Sequence, residues 1–191
     1  MTFGHPKIRL PFVGTLLDSF TKNVFCKHVK PVPGSILRCD LAFRFNFGAG
    51  RTYHTGIYLG DDKVVEVTEQ NKRARVRIVS PRQFLTGGTS LVRTGVFIYV
   101  ATSRGKALGS QTIADRARAA AATSRGNYNL VFNNCHMFTR YCVTGEDSPL
   151  PLLTIEKLEA SLRKTFHVRQ IFWASSGFGC GDSSFDKLDY E

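Results

Sequence analysis

Strand patterns come before helix patterns along this chain, and that order constrains its fold most strongly. Runs of alternating apolar and β-branched residues, separated by glycine, proline and aspartate, predict five β-strands. They span residues 36–47, 53–59, 64–68, 75–79 and 90–100. The second and third runs flank a turn with a Gly-Asp centre at residues 60–63, which predicts a β-hairpin.

Helix patterns dominate the second half. An alanine- and arginine-rich segment at residues 113–123 follows Ser110, a suitable N-cap, and Gly126 would end it. Residues 154–165 predict a further helix, and the Gly/Ser-rich end of the chain is expected to be loose. Residues 13–25 predict an amphipathic lid or packing helix, with membrane binding as the alternative. Strands followed by helices indicate the α+β fold class.

Length and charge limit the classes of function. A chain of 191 residues is long enough for one domain with its own core, and its composition is that of a globular protein. The net charge of +11 favours anionic partners such as phospholipid headgroups, acidic surfaces or nucleic acid, although it could serve solubility alone. The basic residues are spread over several segments, so charge alone does not select a nucleic-acid binder.

The cysteines form no recognisable metal site or disulfide scaffold. They are Cys26, Cys39, Cys135, Cys142 and Cys180, and no two have CxxC spacing. We therefore expect mostly free thiols, no metal and no cofactor. The N-terminus lacks a secretory signal pattern, and no apolar run reaches the ~18 residues of a membrane span. We expect a cytoplasmic protein, with peripheral membrane contact or delivery to a host cell as alternatives.

Cys135 is the candidate nucleophile. Asn133 or Asn134 is a suitable N-cap, so Cys135 is predicted in the first turn of a helix that continues to Gly145. Free backbone N–H groups and the helix dipole stabilise a thiolate there, which lowers a pKa that starts near ~8.5. The same N–H groups can stabilise an oxyanion. The alternative is a buried, inert thiol.

His54 is the candidate base, and Glu66 is the candidate group that orients it. His54 lies two residues before Gly56, and glycine in a strand often marks a bulge or the close approach of another segment, such as a packed helix end. Glu66 follows across the hairpin turn, but the strand register decides whether the two side chains share a face. His136 follows Cys135 directly, and neighbours on a helix point to different sides. Structural roles for His54 and Glu66 are the alternative.

Two motifs resemble those of the lecithin:retinol acyltransferase family. Residues 54–61, His-Thr-Gly-Ile-Tyr-Leu-Gly-Asp, are similar to its histidine motif, and residues 133–138, Asn-Asn-Cys-His-Met-Phe, are similar to its asparagine–cysteine motif. Tyr128, Gly145 and the Pro-Gly pair before the first strand also match. The resemblance covers residues 31–146. It implies a circularly permuted papain-like fold of NlpC type, with an antiparallel sheet packed against the helix that bears the cysteine.

The resemblance assigns the catalytic roles to Cys135, His54 and Glu66. Most animal members have a second histidine in place of Glu66, but a carboxylate can also orient an imidazole. His136 and Met137 replace the usual Glu-His pair after the cysteine, so the family's roles for that pair do not carry over.

The implied organisation is an N-terminal extension at residues 1–30, a catalytic domain at residues 31–146 and a C-terminal extension at residues 147–191. The implied activity is that of an acyltransferase or hydrolase, which acts through a cysteine thioester on lipid ester or amide bonds at an anionic membrane surface. Two alternatives stay open. One is an NlpC-type peptidase or amidase with the same three residues. The other is a non-catalytic protein that binds nucleic acid or a host factor, which is the alternative suggested by resemblance to proteins of some small RNA viruses that carry both motifs.

Overall fold

Seven strands and four helices make up the described part of the chain. The computed structural model describes residues 28–41, 52–70, 73–87, 97–122, 135–146 and 154–179. The strands are β1 (Ile36–Leu41), β2 (Thr52–Gly60), β3 (Lys63–Gln70), β4 (Arg73–Val79), β5 (Phe97–Ser103), β6 (Lys106–Ala107) and β7 (Phe172–Gly179). The helices are α1 (Pro81–Thr86), α2 (Gln111–Ala122), α3 (Cys135–Thr144) and α4 (Ile155–Thr165).

The strands belong to one antiparallel sheet. Its order is β4-β3-β2-β1-β5-β6, and β7 also pairs with β5. The predicted strands are confirmed wherever the structure describes them, which is from residue 36 to residue 41 for the first and from residue 97 for the last. The rest of those two strands, the predicted helix at residues 13–25 and the predicted helix end at Gly126 lie outside the described residues. The α+β architecture is confirmed.

The hairpin of β2 and β3 turns through Asp61 and Asp62. Both residues have positive φ angles, 47° and 51°. Two such residues in a two-residue loop match the right-handed twist of the flanking strands, and aspartate tolerates this backbone region better than most residues. The predicted hairpin is therefore confirmed, with the two aspartates at the centre of its turn.

Separate apolar clusters cover the two faces of the sheet. α2 and α3 pack on one face, with α4 against α3, and α1 packs on the other. Strand β3 contributes to both clusters, because Val65 faces the first and Val64 faces the second. The sheet is thus a middle layer that is buried on both sides.

Capping contacts set the ends of α2 and α3. The Ser110 hydroxyl accepts a hydrogen bond of 3.4 Å from the Ile113 N–H at the start of α2. α3 stops where Gly145 takes a φ of 78° and its N–H donates to the Tyr141 carbonyl. Arg116 of α2 donates to two carbonyls in the last turn of α3 at 2.9 and 3.0 Å. The last turn of a helix has no following turn to supply N–H donors, and Arg116 supplies two donor contacts there, so the contact ties α3 to α2.

The close approach expected at Gly56 is confirmed, and the approaching segment is α1. A Cβ on Gly56 would lie 2.8 Å from the Phe84 ring and 2.8 Å from the Val65 carbonyl oxygen. The sequence patterns did not predict α1, which has only six residues. Its local signal is the capping box of Ser80 and Gln83, in which each side chain bonds the backbone of the other residue.

The prediction of a loose C-terminal end is wrong for residues 172–179. They form β7, which pairs with β5, and the Ser176 hydroxyl donates a hydrogen bond of 2.7 Å to the Ile98 carbonyl. Serine is tolerated there because its hydroxyl finds a backbone acceptor. The Gly/Ser-rich composition of this segment does not indicate a strand, because the partner strand that stabilises it lies far away in the sequence.

We predict that α4 is part of the core and not a dispensable appendage. Leu162 is fully buried, so Leu162→Ala should lower the free energy of unfolding by about 3 kcal/mol through lost burial and the remaining cavity. The matched control is Lys157→Ala at an exposed position of the same helix, which should change it by less than about 0.5 kcal/mol. Urea unfolding measures both, and a similar loss for the two variants would contradict the packing of α4.

Candidate active site

Cys135 is the first residue of α3, as the sequence predicted. Its thiol is partly buried and donates to the backbone carbonyl of Tyr53 on β2 over an S···O distance of 3.8 Å. The expected N-cap residues, Asn133 and Asn134, lie outside the described residues. The first N–H groups of a helix point towards its start, so backbone donors lie beside the sulfur. The fold therefore presents the thiol at a helix start, against the edge of β2.

His54 lies on β2, one residue after the contact with Cys135. Its side chain is 4% exposed, and its ring centroid is 5.1 Å from that of Phe84 on α1. Phe84 is fully buried, and its ring lies so close to Gly56 that a Cβ there would collide with it. The imidazole is thus held from one side by an aromatic ring that itself cannot move freely.

The register between β2 and β3 brings His54 and Glu66 together. Gly56 lies opposite Glu66, so residue 54 is on the same face of the sheet and two residues further along β2. The pairing recorded between the two strands ends there, while β2 continues beside β1 and β3 beside β4. His54 Nε2 and Glu66 Oε2 are 2.7 Å apart. The strand register, which the sequence could not determine, therefore places the side chains of His54 and Glu66 on the same face of the sheet.

Arg77 on β4 fixes the second oxygen of the Glu66 carboxylate. Its Nε and Nη2 donate to Oε1 at 2.9 and 2.7 Å. The Glu66 side chain is fully buried, whereas that of Arg77 is one-third exposed. A buried carboxylate is stable in its ionised form only when it is paired in this way. Both oxygens are thereby engaged, and the carboxylate can accept the Nε2–H of His54.

The environment of Cys135 favours its thiolate. Burial acts to raise the pKa of the thiol, but the charge of His54, a hydrogen bond and charge from His136, and a hydrogen bond from His54 oppose it. Together they hold the pKa of Cys135 well below its ordinary value. Nε2 of His54 faces Glu66, and the same ring hydrogen-bonds the thiol, so Nδ1 is the nitrogen that can accept the thiol proton.

His136 is a second imidazole beside the thiol, contrary to the expectation that it would point elsewhere. Its Nδ1 is 3.9 Å from the Cys135 sulfur and 3.1 Å from the Thr55 hydroxyl on β2. The Thr139 hydroxyl donates to that of Thr55 at 3.0 Å. The spacing rule failed because Cys135 is the first residue of its helix, where a side chain can turn back towards its neighbour.

Three contacts of the site were not predicted from the sequence. Arg77 and Phe84 belong to a neighbouring strand and to an unpredicted helix, so only the fold brings them to His54. Thr55 follows His54 in the histidine motif, and its bond to His136 joins the two motifs.

In the described part of the chain, no three metal-ligating side chains are grouped, and no helix is long and apolar enough to cross a bilayer.

Removing Arg77 should expose the cost of burying Glu66. Arg77→Ala leaves the fully buried carboxylate without its bidentate partner, and we expect a loss of about 3 kcal/mol in the free energy of unfolding. The control is Arg118→Ala, which breaks an exposed pair with Asp115 and should cost less than about 1 kcal/mol. Equal losses in urea unfolding would show that Glu66 does not depend on Arg77.

Comparison with known proteins gives one match. The family model described as lecithin retinol acyltransferase matches residues 38–148, more than half of the chain, and this range contains β2, β3 and α3. No curated protein and no solved structure matches the chain. The strands with His54 and Glu66 precede the helix with Cys135, which is the permuted order of a papain-like α+β fold. The chain belongs to the lecithin retinol acyltransferase family.

Proposed function

We propose that the protein is a thiol enzyme that forms a thioester at Cys135 and acts on lipid ester or amide bonds. Membership of the family indicates a cysteine-dependent acyltransferase or hydrolase. The observation that carries the proposal is the arrangement of three side chains: Cys135 begins α3 against the Tyr53 carbonyl, His54 is the next residue on β2, and Glu66 lies 2.7 Å from its Nε2. In agreement with this geometry, His54 lowers the pKa of Cys135 against the effect of burial. An inert structural cysteine in such a buried place would have a raised pKa.

In the first step, the thiol proton moves to Nδ1 of His54. The ring can accept it because its Nε2–H is donated to Glu66, which keeps the lone pair on Nδ1. The Glu66 carboxylate, held ionised by Arg77, then stabilises the imidazolium. The Cys135 thiolate is left beside a positive ring and is ready to attack a carbonyl carbon.

In the second step, a carbon–sulfur bond forms as the carbonyl π electrons move to oxygen. The N–H groups at the start of α3 are the donors for this oxyanion, an effect worth roughly 3 kcal/mol for one good donor. The intermediate collapses, the ester or amide bond breaks, and His54 returns its proton to the leaving group. Water then releases a fatty acid, or an alcohol or amine takes the acyl group, with His54 as base again.

A lipid acyl donor is favoured over a peptide by two considerations. The matching family model is described as a lecithin retinol acyltransferase, and the net charge of +11 suits an anionic membrane surface. A peptidase of NlpC type would use the same three side chains, so the substrate and not the triad separates the two activities.

The pH dependence of alkylation tests the activated thiol. Because the pKa of Cys135 is lowered, iodoacetamide should label it rapidly at pH values at which an ordinary thiol is still protonated and slow. His54→Ala removes the positive ring, so the pKa should rise and labelling should move to higher pH. Mass spectrometry of peptides after timed labelling gives the rate at each cysteine.

Two variants sharpen the alkylation test. Glu66→Gln has the same shape but offers an amide N–H to Nε2 of His54, which moves the ring proton to Nδ1 and should slow labelling as His54→Ala does. His28→Ala, which removes a histidine bonded to Ser175, should leave the pH profile unchanged. Labelling of Cys135 no faster than that of Cys26 or Cys180 would favour a non-catalytic binding protein.

Trapping of the acyl-enzyme tests the substrate class. Incubation with a short-chain phospholipid should add one acyl mass to the peptide that contains Cys135, and hydroxylamine should remove it because it cleaves thioesters. Cys135→Ser should show no hydroxylamine-sensitive adduct at neutral pH. If peptide esters or amides form the adduct and none of the tested lipids does, the protein would be reassigned to the peptidase class.

A further inference from the structure

Arg38 on β1 has its guanidinium surrounded by aromatic rings. The Cζ atom is 4.5 Å from the ring centroids of Tyr53 and Trp173 and 5.5 Å from that of Tyr99. The register explains this grouping, because Arg38 pairs with Tyr99 on β5 and with Thr55 on β2, and paired residues share a face. Cation–π contacts to three rings hold the side chain in one position.

This guanidinium has no carboxylate partner within the described ranges. Its Nε is buried and makes no hydrogen bond to any residue that the structure describes. Burial lowers the pKa of Arg38, and the opposing electrostatic effects of Tyr53, Asp40, Glu159 and Tyr99 are weaker. Glu159 itself accepts a hydrogen bond of 2.7 Å from the Trp173 indole. A buried arginine N–H without a partner is uncommon in proteins, so this guanidinium keeps hydrogen-bonding capacity that no described residue meets.

The Arg38 cage adjoins the candidate nucleophile. Tyr53 joins the two, because its ring lies under Arg38 while its carbonyl oxygen is 3.8 Å from the Cys135 sulfur. Thr55, the β2 partner of Arg38, bonds the imidazole beside the same sulfur. Neighbouring strands lie about 4.8 Å apart. A group a few bonds from the carbonyl that Cys135 attacks can therefore reach the guanidinium.

We propose that Arg38 binds a phosphate oxyanion of the acyl substrate and so determines specificity for acyl lipids that carry a phosphodiester. This inference rests on the proposed function and assigns a residue outside its triad. A guanidinium presents two parallel N–H donors that match two oxygens of one phosphate. The rings fix those donors in advance, so little side-chain freedom is lost when the anion binds.

The fluorescence of Trp173 reports this site directly. Trp173 is the single tryptophan of the chain and contacts the guanidinium. In a Cys135→Ser background, which prevents thioester formation, the protein is titrated with dihexanoylphosphatidylcholine, dihexanoylglycerol and inorganic phosphate at constant ionic strength. The phosphatidylcholine has no net charge, so the overall field of the protein does not favour it over the neutral diacylglycerol.

Loss of Arg38 should change the preference between the two lipids. Arg38→Gln should lower the ratio of phosphatidylcholine affinity to diacylglycerol affinity about tenfold, which is the scale of one charge-assisted hydrogen-bond pair. Arg38→Lys keeps the charge but loses the paired donors, so its affinity ratio should lie between those of the wild type and Arg38→Gln. Arg118→Gln, at an exposed position of α2, removes the same charge and should keep the wild-type ratio.

Inorganic phosphate separates the possible sources of the anion. It should compete with phosphatidylcholine but not with diacylglycerol, and this competition can be measured without any Arg38 variant, should Arg38→Gln fail to fold. Phosphate binding that depends on Arg38 without lipid binding would keep an anion site but overturn its assignment to a lipid.

Several outcomes would overturn the role of Arg38. They are an unchanged ratio in Arg38→Gln, an equal loss for both lipids, an equal loss in Arg118→Gln, or no binding of any of the three ligands. None of these readouts requires turnover. Failure to trap a thioester would therefore count against the proposed function alone, and an unchanged ratio would count against Arg38 alone.

Discussion

The hydrogen bond between His54 and Glu66 is the interaction on which the candidate site depends. It crosses two strands at the last residue pair of their shared register, where β2 and β3 separate. A neutral imidazole there can offer its proton to the carboxylate and keep its other nitrogen for the thiol. If the register slipped by one residue, Glu66 would face the opposite side of the sheet, and the series of interactions from Cys135 through His54 to the carboxylate would be lost.

Placing an ionised carboxylate inside a sheet has a large desolvation cost, and the surrounding structure offsets it. Arg77 supplies two donors to one oxygen, and His54 faces the other. Phe84 packs against the imidazole from α1, and Gly56 leaves the room that this ring needs. The third member of the triad is thus supported by residues from a strand and a helix that the family motifs do not include.

The face of the sheet beneath α3 carries a second set of polar contacts. His136 and Thr55 place another imidazole near the sulfur, and Arg38 lies on the next strand in an aromatic cage. These groups lie on the face that α3 covers, whereas the side chains of His54 and Glu66 share the opposite face with Phe84 of α1. In our proposals, the triad supplies the chemistry and the Arg38 cage selects what reaches it.

The sequence by itself determined the order of β1 to β5 and of the three longer helices, the hairpin, the start of α3 at Cys135 and the family, because turn residues, caps and motifs are local signals. Only the tertiary structure decided which side chains meet. The pairing of His54 with Glu66 depends on register, and β7 depends on the edge of β5, which no local pattern encodes. Arg38 shows the same limit: its place among three rings comes from strands that are adjacent in space and distant in sequence.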